Sequence, residues 1–234
     1  AIPMGQFFGG RSVSTVGVAG VGVASAERGK GTATELMRAF VRELHADGVA
    51  LSTLYPATLP LYRRAGYEIS GGLHRLSIQA RDIAGPRRDA KRSSAHRTQT
   101  TREIGPDDEP AIESLYQRFA AQRHGWLDRG TNIWMRTRRD RDDAPAHGVV
   151  TLDQRGRVDG YLRYRSQRRG DTLDLGLTYW VYGSAAAAET LLAVLADQRS
   201  LTNAITWPTA PDDPFVTLLR ERFYAIERRH MWML

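Results

Sequence analysis

A strand-like run that passes through a glycine-rich turn into an amphipathic helix is the feature that most constrains this chain. Residues 12–24 are rich in valine with glycines at intervals, and they predict a central β-strand that ends near Val23. The turn that follows contains Gly29 and Gly31. Over residues 31–46 the apolar side chains recur at helical spacing, so the hydrophobic period changes from that of a strand to that of a helix across the turn.

The turn has the composition of an anion-binding site. The first residues of a helix present N–H groups that have no acceptor within the helix, and the helix dipole adds partial positive charge there. Gly29 and Gly31 let the backbone approach a diphosphate, and Arg28 and Lys30 add charge. The spacing is neither Gly-x-Gly-x-x-Gly nor a Walker loop, so a Rossmann dinucleotide site and a P-loop are disfavoured. A helix start with incidental glycines is the alternative.

The rest of the chain alternates short strands with helices. Before the turn, Gln6-Phe7-Phe8 is predicted to be a strand that ends at Gly9-Gly10. After it, strands are predicted at residues 49–55, 67–79, 147–152, 158–165, 172–182, 204–207 and 224–234, and helices at residues 59–64, 185–197 and 213–222 and directly after Asp108. This order predicts a mixed α/β (α+β) fold with tandem related domains, each a twisted mixed sheet flanked by helices.

Composition places the domain boundaries. We predict a first domain at residues 1–82, a basic linker at residues 83–100 and a second domain at residues 101–234. The linker is rich in Arg, Lys, Ser, Asp and Pro without periodicity, and it holds the dense basic cluster from Arg87 to Arg97. The formal charge of the chain is +7. Nucleic-acid binding through the linker is disfavoured, because no aromatic residue is interleaved with the basic ones.

Several classes of site are excluded by composition. The chain has no cysteine, which excludes disulfides, a cysteine nucleophile and thiolate metal sites. No apolar run reaches the length of a membrane span, so we expect a cytoplasmic protein without a membrane partner. No metal site is predicted. The histidines are scattered singly, and each is expected to be structural or on the surface: His45, His74, His96, His124, His147 and His230.

The turn reads Arg28-x-x-Gly31-x-Ala33, which resembles the Arg/Gln-x-x-Gly-x-Gly/Ala motif of the GCN5-related N-acetyltransferases (GNAT). In that superfamily the turn binds the pyrophosphate of acetyl-coenzyme A, and the backbone of the preceding strand pairs with the pantetheine arm. The resemblance therefore implies acetyl-coenzyme A as the cofactor and tandem GNAT-like domains as the fold. The cofactor-binding residues that it implies are Val21, Val23, Arg28, Gly29, Lys30, Gly31, Thr32 and Ala33.

Residues 61–68 resemble the Tyr-x-x-x-Gly-Phe/Tyr segment of the same superfamily. A tyrosine on that short helix lies close to the cofactor sulfur, so the resemblance implies Tyr62 as the general acid. Acetyl transfer to an amine expels a thiolate of pKa about 8–9, and a phenol of pKa about 10 is able to protonate it. The alternative is a packing tyrosine whose hydroxyl meets a backbone group. Tyr67 is expected to pack.

Residues 6–13 and 17–24, together with the turn and Leu61-Tyr62-Arg63, resemble the enhanced intracellular survival (Eis) family. Its members combine a GNAT domain, a degenerate second GNAT domain and a sterol-carrier-like domain, acetylate amines on aminoglycosides and other molecules, and form hexamers. The resemblance implies an N-acetyltransferase that transfers acetyl directly to a primary amine of a cationic small molecule, and it implies a homo-oligomer. A non-catalytic GNAT-like binding or scaffold module is the alternative.

The second half lacks the turn. At the corresponding position, residues 181–186 read Val-Tyr-Gly-Ser-Ala-Ala, so we predict that only the first domain binds the cofactor. The chain begins at Ala1 and ends at Leu234, and we expect it to be a piece of a longer protein. Against the family pattern, the start of the first domain and the sterol-carrier-like domain are missing, and with the latter the terminal carboxylate that the family uses as general base.

Overall fold

A computed structural model of the chain describes residues 1–83, 99–138, 146–219 and 221–234. In chain order, its first elements are β1 (Ile2–Phe8), β2 (Arg11–Val18), α1 (Thr32–Ala46), β3 (Leu51–Leu54), α2 (Leu59–Arg63) and β4 (Ile69–Gln79). They are followed by β5 (Thr100–Glu103), α3 (Glu109–Ala121), β6 (Leu127–Asp128), α4 (Thr131–Arg138), β7 (Ala146–Leu152), β8 (Val158–Arg169), β9 (Thr172–Tyr182), α5 (Ala185–Asp197), β10 (Thr202–Thr209) and β11 (Tyr224–Met233). The strands form a mixed sheet that is flanked by helices, which confirms the predicted mixed α/β fold class.

The chain divides into two compact units whose segments are interleaved along the sequence. Unit 1 comprises residues 1–73, 120–136 and 228–234, and unit 2 comprises the remaining described residues between 74 and 227. The sequential division at residues 82 and 101 stays a prediction. Most of the predicted linker, with its basic cluster and His96, lies outside the described residues.

In unit 1 the strands follow the order β11-β3-β2-β1-β6. β1 and β2 form the predicted hairpin through Gly9 and Gly10, whose φ angles of 56° and 79° suit a tight two-residue turn. β2 and β3 are parallel, and α1 is the connection between them. Such a crossover places the turn before α1 at the carboxyl end of a central strand, where ligands of open α/β sheets bind.

The core of unit 1 forms where α1 and α2 pack on one face of these strands. Its buried residues are Met37, Leu54, Tyr62, Ala65, Tyr67 and Met233, and Val18 and Val21 pack against them. Met37 is almost completely buried, with 1% of its surface exposed, so its truncation to alanine is expected to cost about 2–5 kcal/mol. This packing fixes α1, and with it the turn, against the strand that leads into the turn.

In unit 2 the strands follow the order β5-β7-β8-β9-β10-β4. α5 has the predicted bounds, 185–197, and it connects the parallel strands β9 and β10. Its alanine and leucine side chains face the core, which buries Leu76, Ile78, Leu162, Leu175, Leu191, Leu192, Ile205, Trp207 and Phe215. Among the described helices, none is both long enough and apolar enough to cross a membrane.

Two predicted elements differ most from the structure. The strand predicted over residues 12–24 ends at Val18, because its ladder with β3 stops at Val18↔Leu54 and its ladder with β1 stops at Ile2↔Gly17. The helix predicted at residues 213–222 is only a short 3-10 turn, Pro214–Leu218. After that turn the backbone is extended at Leu219, whose side chain is buried in the core of unit 2.

Candidate cofactor site

The turn between β2 and α1 has the backbone conformation of an open cradle. Gly29 and Gly31 have φ angles of 80° and 86°, in the left-handed region that residues with a Cβ rarely adopt. A Cβ built on either glycine would meet no atom within 4 Å. The glycines are therefore required by backbone conformation, and the space beside them is open to a ligand.

The backbone amides of this turn find no acceptor in the part of the chain that the structure describes. Gly31 is the N-cap of α1 and provides no side-chain cap, and α1 begins at Thr32, one residue after the start of the predicted helical segment. The amides of residues 29–33 donate no hydrogen bond to any other residue that the structure describes. Unpaired amides at a helix start attract an anion, and the dipole of α1, a helix of 15 residues, adds to that attraction.

The cations of the turn differ in their partners. The side chain of Arg28 is exposed and forms no ion pair with the described residues. Lys30 Nζ lies 3.1 Å from Glu27 Oε1, in a pair whose side chains are 60% and 50% exposed. The Thr32 hydroxyl donates to the carbonyl of Glu27 at 3.4 Å. Arg28 is thus available to a ligand at once, whereas Lys30 must first leave a carboxylate.

Residues 19–24 connect β2 to the turn without regular secondary structure. Val21 and Val23, predicted to lie in a strand, are outside it, and both are half-buried. The β2–β3 ladder stops at Val18↔Leu54, so the backbone beyond it is not part of that ladder. An extended ligand that reaches the turn along this segment would find peptide groups that no neighbouring strand of the described chain occupies.

Tyr62 and Tyr67 are both buried but differ in what their hydroxyls do. The rings meet edge to face, with centroids 6.2 Å apart. The Tyr67 hydroxyl lies 2.6 Å from Ser52 Oγ, and Ser52 donates its own proton to the carbonyl of Val16 at 3.2 Å. Tyr67 must therefore donate to Ser52, and burial raises the pKa of Tyr67. The Tyr62 hydroxyl forms no hydrogen bond with a described residue, which leaves it the uncommitted proton donor of the pair.

An ion pair fixes the end of α2. Arg63 donates from Nε and Nη2 to the Glu68 carboxylate, with the shortest contact at 2.7 Å. These bonds, together with the amide of Ile69, hold the pKa of Glu68 below its usual value. Glu68 also exchanges backbone hydrogen bonds with Leu234, at 2.8 and 3.0 Å. The helix that carries Tyr62 is thereby held against both β4 and the end of β11.

The start of the corresponding helix in unit 2 is closed by the chain itself. Ser184 is the N-cap of α5; its hydroxyl accepts from the amide of Ala187 at 3.1 Å and donates to Asp159 Oδ2 at 2.5 Å. The amide of Gly183 donates to the carbonyl of Asp159 at 2.7 Å, and a Cβ on Gly183 would lie 2.5 Å from Asp159 Oδ1. The Asp159 carbonyl and the Ser184 hydroxyl thus already accept from two amides at this helix start, and the nearby Asp159 carboxylate would repel a phosphate. That only the first domain binds the cofactor stays a prediction.

Several of the described histidines lie singly in packing contacts. His124 accepts a hydrogen bond from the amide of Gly9 at 3.2 Å, and His147 stacks on Tyr164 at 5.4 Å between ring centroids. His230 contacts the ring of an exposed tyrosine. No group of three or more metal-ligating side chains lies close enough to hold a metal ion in the described ranges.

Two family models, both described as acetyltransferase (GNAT) domains, match the chain. One matches residues 1–70 and the other residues 125–234. The first contains the turn and Tyr62, and the second contains the closed helix start. No curated protein matches the chain.

Solved structures resemble the chain over almost its whole length. A GCN5-related N-acetyltransferase from Anabaena variabilis ATCC 29413 is 31% identical with a TM-score of 0.90, and the match covers 99% of this chain and 57% of that one. A GCN5-related N-acetyltransferase from Kribbella flavida is 26% identical with a TM-score of 0.77, and the match covers 99% of this chain and 56% of that one. Eis1 from Mycobacterium abscessus is 23% identical, with a TM-score of 0.75 and coverage of 99% and 59%, which shows a shared fold. The chain thus spans little more than half the length of these proteins.

Proposed function

The chain carries two acetyltransferase (GNAT) domains, and from that premise we propose that it is an N-acetyltransferase that uses acetyl-coenzyme A. The observation that carries the proposal is the open turn at residues 29–33, whose amides have no acceptor within the described chain. Similarity to two structures titled GCN5-related N-acetyltransferase, at 31% and 26% identity, supports it.

The cofactor would bind through its pyrophosphate and its pantetheine arm. The amides of Gly29, Lys30, Gly31, Thr32 and Ala33 would donate to the phosphate oxygens, with Arg28 as the first cation to reach them. The backbone of Val21 and Val23 would pair with the amides of the pantetheine arm, since it lies beyond the end of the β2–β3 ladder. Because Val21 packs against the cluster that contains Tyr62, these contacts would direct the thioester towards Tyr62.

Acetyl transfer would proceed directly from the thioester to the acceptor. The neutral amine nitrogen attacks the thioester carbonyl, the C–N bond forms as the C–S bond breaks, and coenzyme A leaves as a thiolate. The Tyr62 hydroxyl gives its proton to that sulfur, and the tyrosinate regains a proton from solvent as the new amide nitrogen loses one. Tyr67 is poorly suited to this role because its proton is already donated to Ser52.

The acceptor, the assembly and the location are finer proposals that rest on the resemblance to the Eis family. The proposed acceptor is a primary amine on a cationic small molecule such as an aminoglycoside. The proposed assembly is a homo-oligomer, with the hexamer as the state found in that family, and the proposed location is the cytoplasm. The chain spans 57% of the length of its Anabaena relative, so the activity and substrates of that whole protein come to this chain only as proposals.

The second candidate function is a GNAT-like module that binds without catalysis. Unit 2 favours it, since its GNAT-type helix start is closed by Asp159 and Ser184. In that case the turn of unit 1 would bind coenzyme A, yet no amine would be acetylated.

A thiol-release assay separates the two candidates. The protein has no cysteine, so a thiol reagent reports only coenzyme A that has been released. The protein is incubated with acetyl-coenzyme A and either tobramycin or spermidine, and binding of acetyl-coenzyme A is measured by calorimetry in parallel. We expect binding and amine-dependent thiol release. Binding without release from either amine favours the non-catalytic module, and absence of binding contradicts both.

A further inference from the structure

Glu27 is an acidic residue directly before the glycine-rich turn that leads into α1. It ends the 3-10 turn Ser25–Glu27. Its amide donates to the carbonyl of Ala24 at 2.9 Å, and its own carbonyl accepts from the Thr32 hydroxyl at 3.4 Å. Its carboxylate reaches Lys30 Nζ at 3.1 Å. The backbone of Glu27 is therefore anchored next to the turn while its side chain holds one of the turn's cations.

This carboxylate does not cap α1. The N-cap position has no side-chain hydrogen bond, so the first amides of the helix stay open although a carboxylate lies nearby. An incoming diphosphate would find those amides unobstructed. It would also meet the negative charge of Glu27 and would have to draw Lys30 away from it.

We propose that Glu27 competes with the pyrophosphate of the cofactor for Lys30, and thereby sets the affinity of the turn for coenzyme A and the rate at which coenzyme A leaves. This role rests on the proposed function of the turn. In the empty site the Lys30 ammonium is paired with Glu27. On binding it moves to the phosphates, and Glu27 is left unpaired beside an anion; on release the pair forms again. Glu27 thus favours release of coenzyme A in every turnover.

The expected change in coenzyme A affinity is limited by the solvent exposure of the two side chains. The side chains of Lys30 and Glu27 are 60% and 50% exposed, so solvent screens both the pair and the repulsion. Neutralising Glu27 is expected to tighten coenzyme A binding about three- to fivefold at low ionic strength, and by less than about twofold at 0.5 M salt.

The first turn of α1 provides a matched control close to the Glu27–Lys30 pair. Arg38 Nη1 lies 3.1 Å from Glu35 Oε1, in another exposed pair at i,i+3 spacing. Glu35→Gln removes the same charge from the first turn of α1, so it measures the effect of net charge without releasing Lys30. We expect this variant to bind coenzyme A within about twofold of the wild type.

The experiment compares the wild type with Glu27→Gln, Glu27→Asp and Glu35→Gln. Calorimetry gives the affinity for coenzyme A, dephospho-coenzyme A and pantetheine, and stopped-flow displacement gives the dissociation rate of coenzyme A. Glu27→Gln should tighten the first two ligands equally and slow dissociation, and it should leave pantetheine, which lacks the pyrophosphate, unchanged. Glu27→Asp keeps the charge on a side chain one methylene shorter, which weakens its contact with Lys30, and it should give a smaller gain.

The outcomes separate this role from the proposed function. If the wild type binds coenzyme A but Glu27→Gln binds it equally or more weakly, Glu27 does not compete and the inference is overturned. The same conclusion follows if Glu35→Gln gives an equal gain, or if pantetheine gains as much as coenzyme A. If neither the wild type nor Glu27→Gln binds coenzyme A, the proposed function itself fails, and this role fails with it.

Discussion

Replacement of Gly31 by aspartate or by asparagine isolates the electrostatic part of the proposed cofactor site. Gly31 has a φ of 86°, and a Cβ there would meet no atom within 4 Å. Both side chains therefore fit without a clash, and Asn and Asp are the residues that tolerate the left-handed region best. Each is expected to cost about 1 kcal/mol of stability through backbone strain. The two variants differ only in one negative charge.

That charge would lie beside the amides that are proposed to bind the pyrophosphate. Two like charges about 5 Å apart repel by about 1 kcal/mol in water-like surroundings and by about 3 kcal/mol at an effective dielectric constant of about 20. Gly31→Asp should therefore bind coenzyme A roughly 5- to 150-fold more weakly than Gly31→Asn. The assay is calorimetric titration with coenzyme A, and thermal unfolding verifies that the two variants are equally folded.

Gly48 supplies the control. It lies beyond the other end of α1, with a φ of 71° and open space around its Cβ position. Asp and Asn there carry the same strain far from the turn along the helix, and coenzyme A affinity should be equal for the two. If Gly31→Asp and Gly31→Asn also bind coenzyme A equally, the anion is not bound at this turn and the reasoning fails.

The remaining predictions concern the acid, the closed helix start and a buried carboxylate. Tyr62→Phe should lower kcat at least about 100-fold and leave the affinity for coenzyme A within about threefold of the wild type. Tyr67→Phe should mainly lower the stability of the fold. Equal rates for Tyr62→Phe and the wild type would remove Tyr62 from the acid role. Ser184→Ala should cost about 1 kcal/mol of unfolding free energy, and titration should still give one coenzyme A per chain; a second bound molecule would contradict the closed site. The hydrogen bonds from Arg102 hold the pKa of Asp108 below its usual value, so the stability they provide is present above pH about 4 and is lost as pH falls through the lowered pKa of the folded state. Asp108→Asn should lower Tm at pH 7, and the difference should shrink as the pH falls below about 4. A difference that does not change with pH would contradict this.

Local sequence patterns predicted much of the fold. The start of α1 and the bounds of α5 follow from hydrophobic period and turn residues; the structure has α5 at the predicted bounds and begins α1 one residue later than predicted. The end of the central strand could not be obtained in this way. Residues 19–24 have the composition of a strand, but a strand needs a partner, and the ladders on both sides of β2 end by Val18.

Long-range packing accounts for the other differences. Residues 120–136 belong to unit 1 although they lie in the second half of the chain, and β6 and α4, which no pattern predicted, fall largely within them. The sequence contains the turn and Tyr62, and it therefore indicates the candidate site. The free hydroxyl of Tyr62, the bond from Tyr67 to Ser52 and the pair of Glu27 with Lys30 depend on side-chain placement, which sequence spacing alone does not give.

The proposed function depends above all on binding of the coenzyme A pyrophosphate by the amides at the start of α1. Amide proton–nitrogen correlation spectra of the protein, recorded with increasing coenzyme A, test it most directly. If the pyrophosphate binds there, the largest shifts are those of residues 29–33, with little change for residues 183–187 at the start of α5. The proposed binding is contradicted if the amides of residues 29–33 stay in place while coenzyme A binds, or if no amide responds to coenzyme A at all.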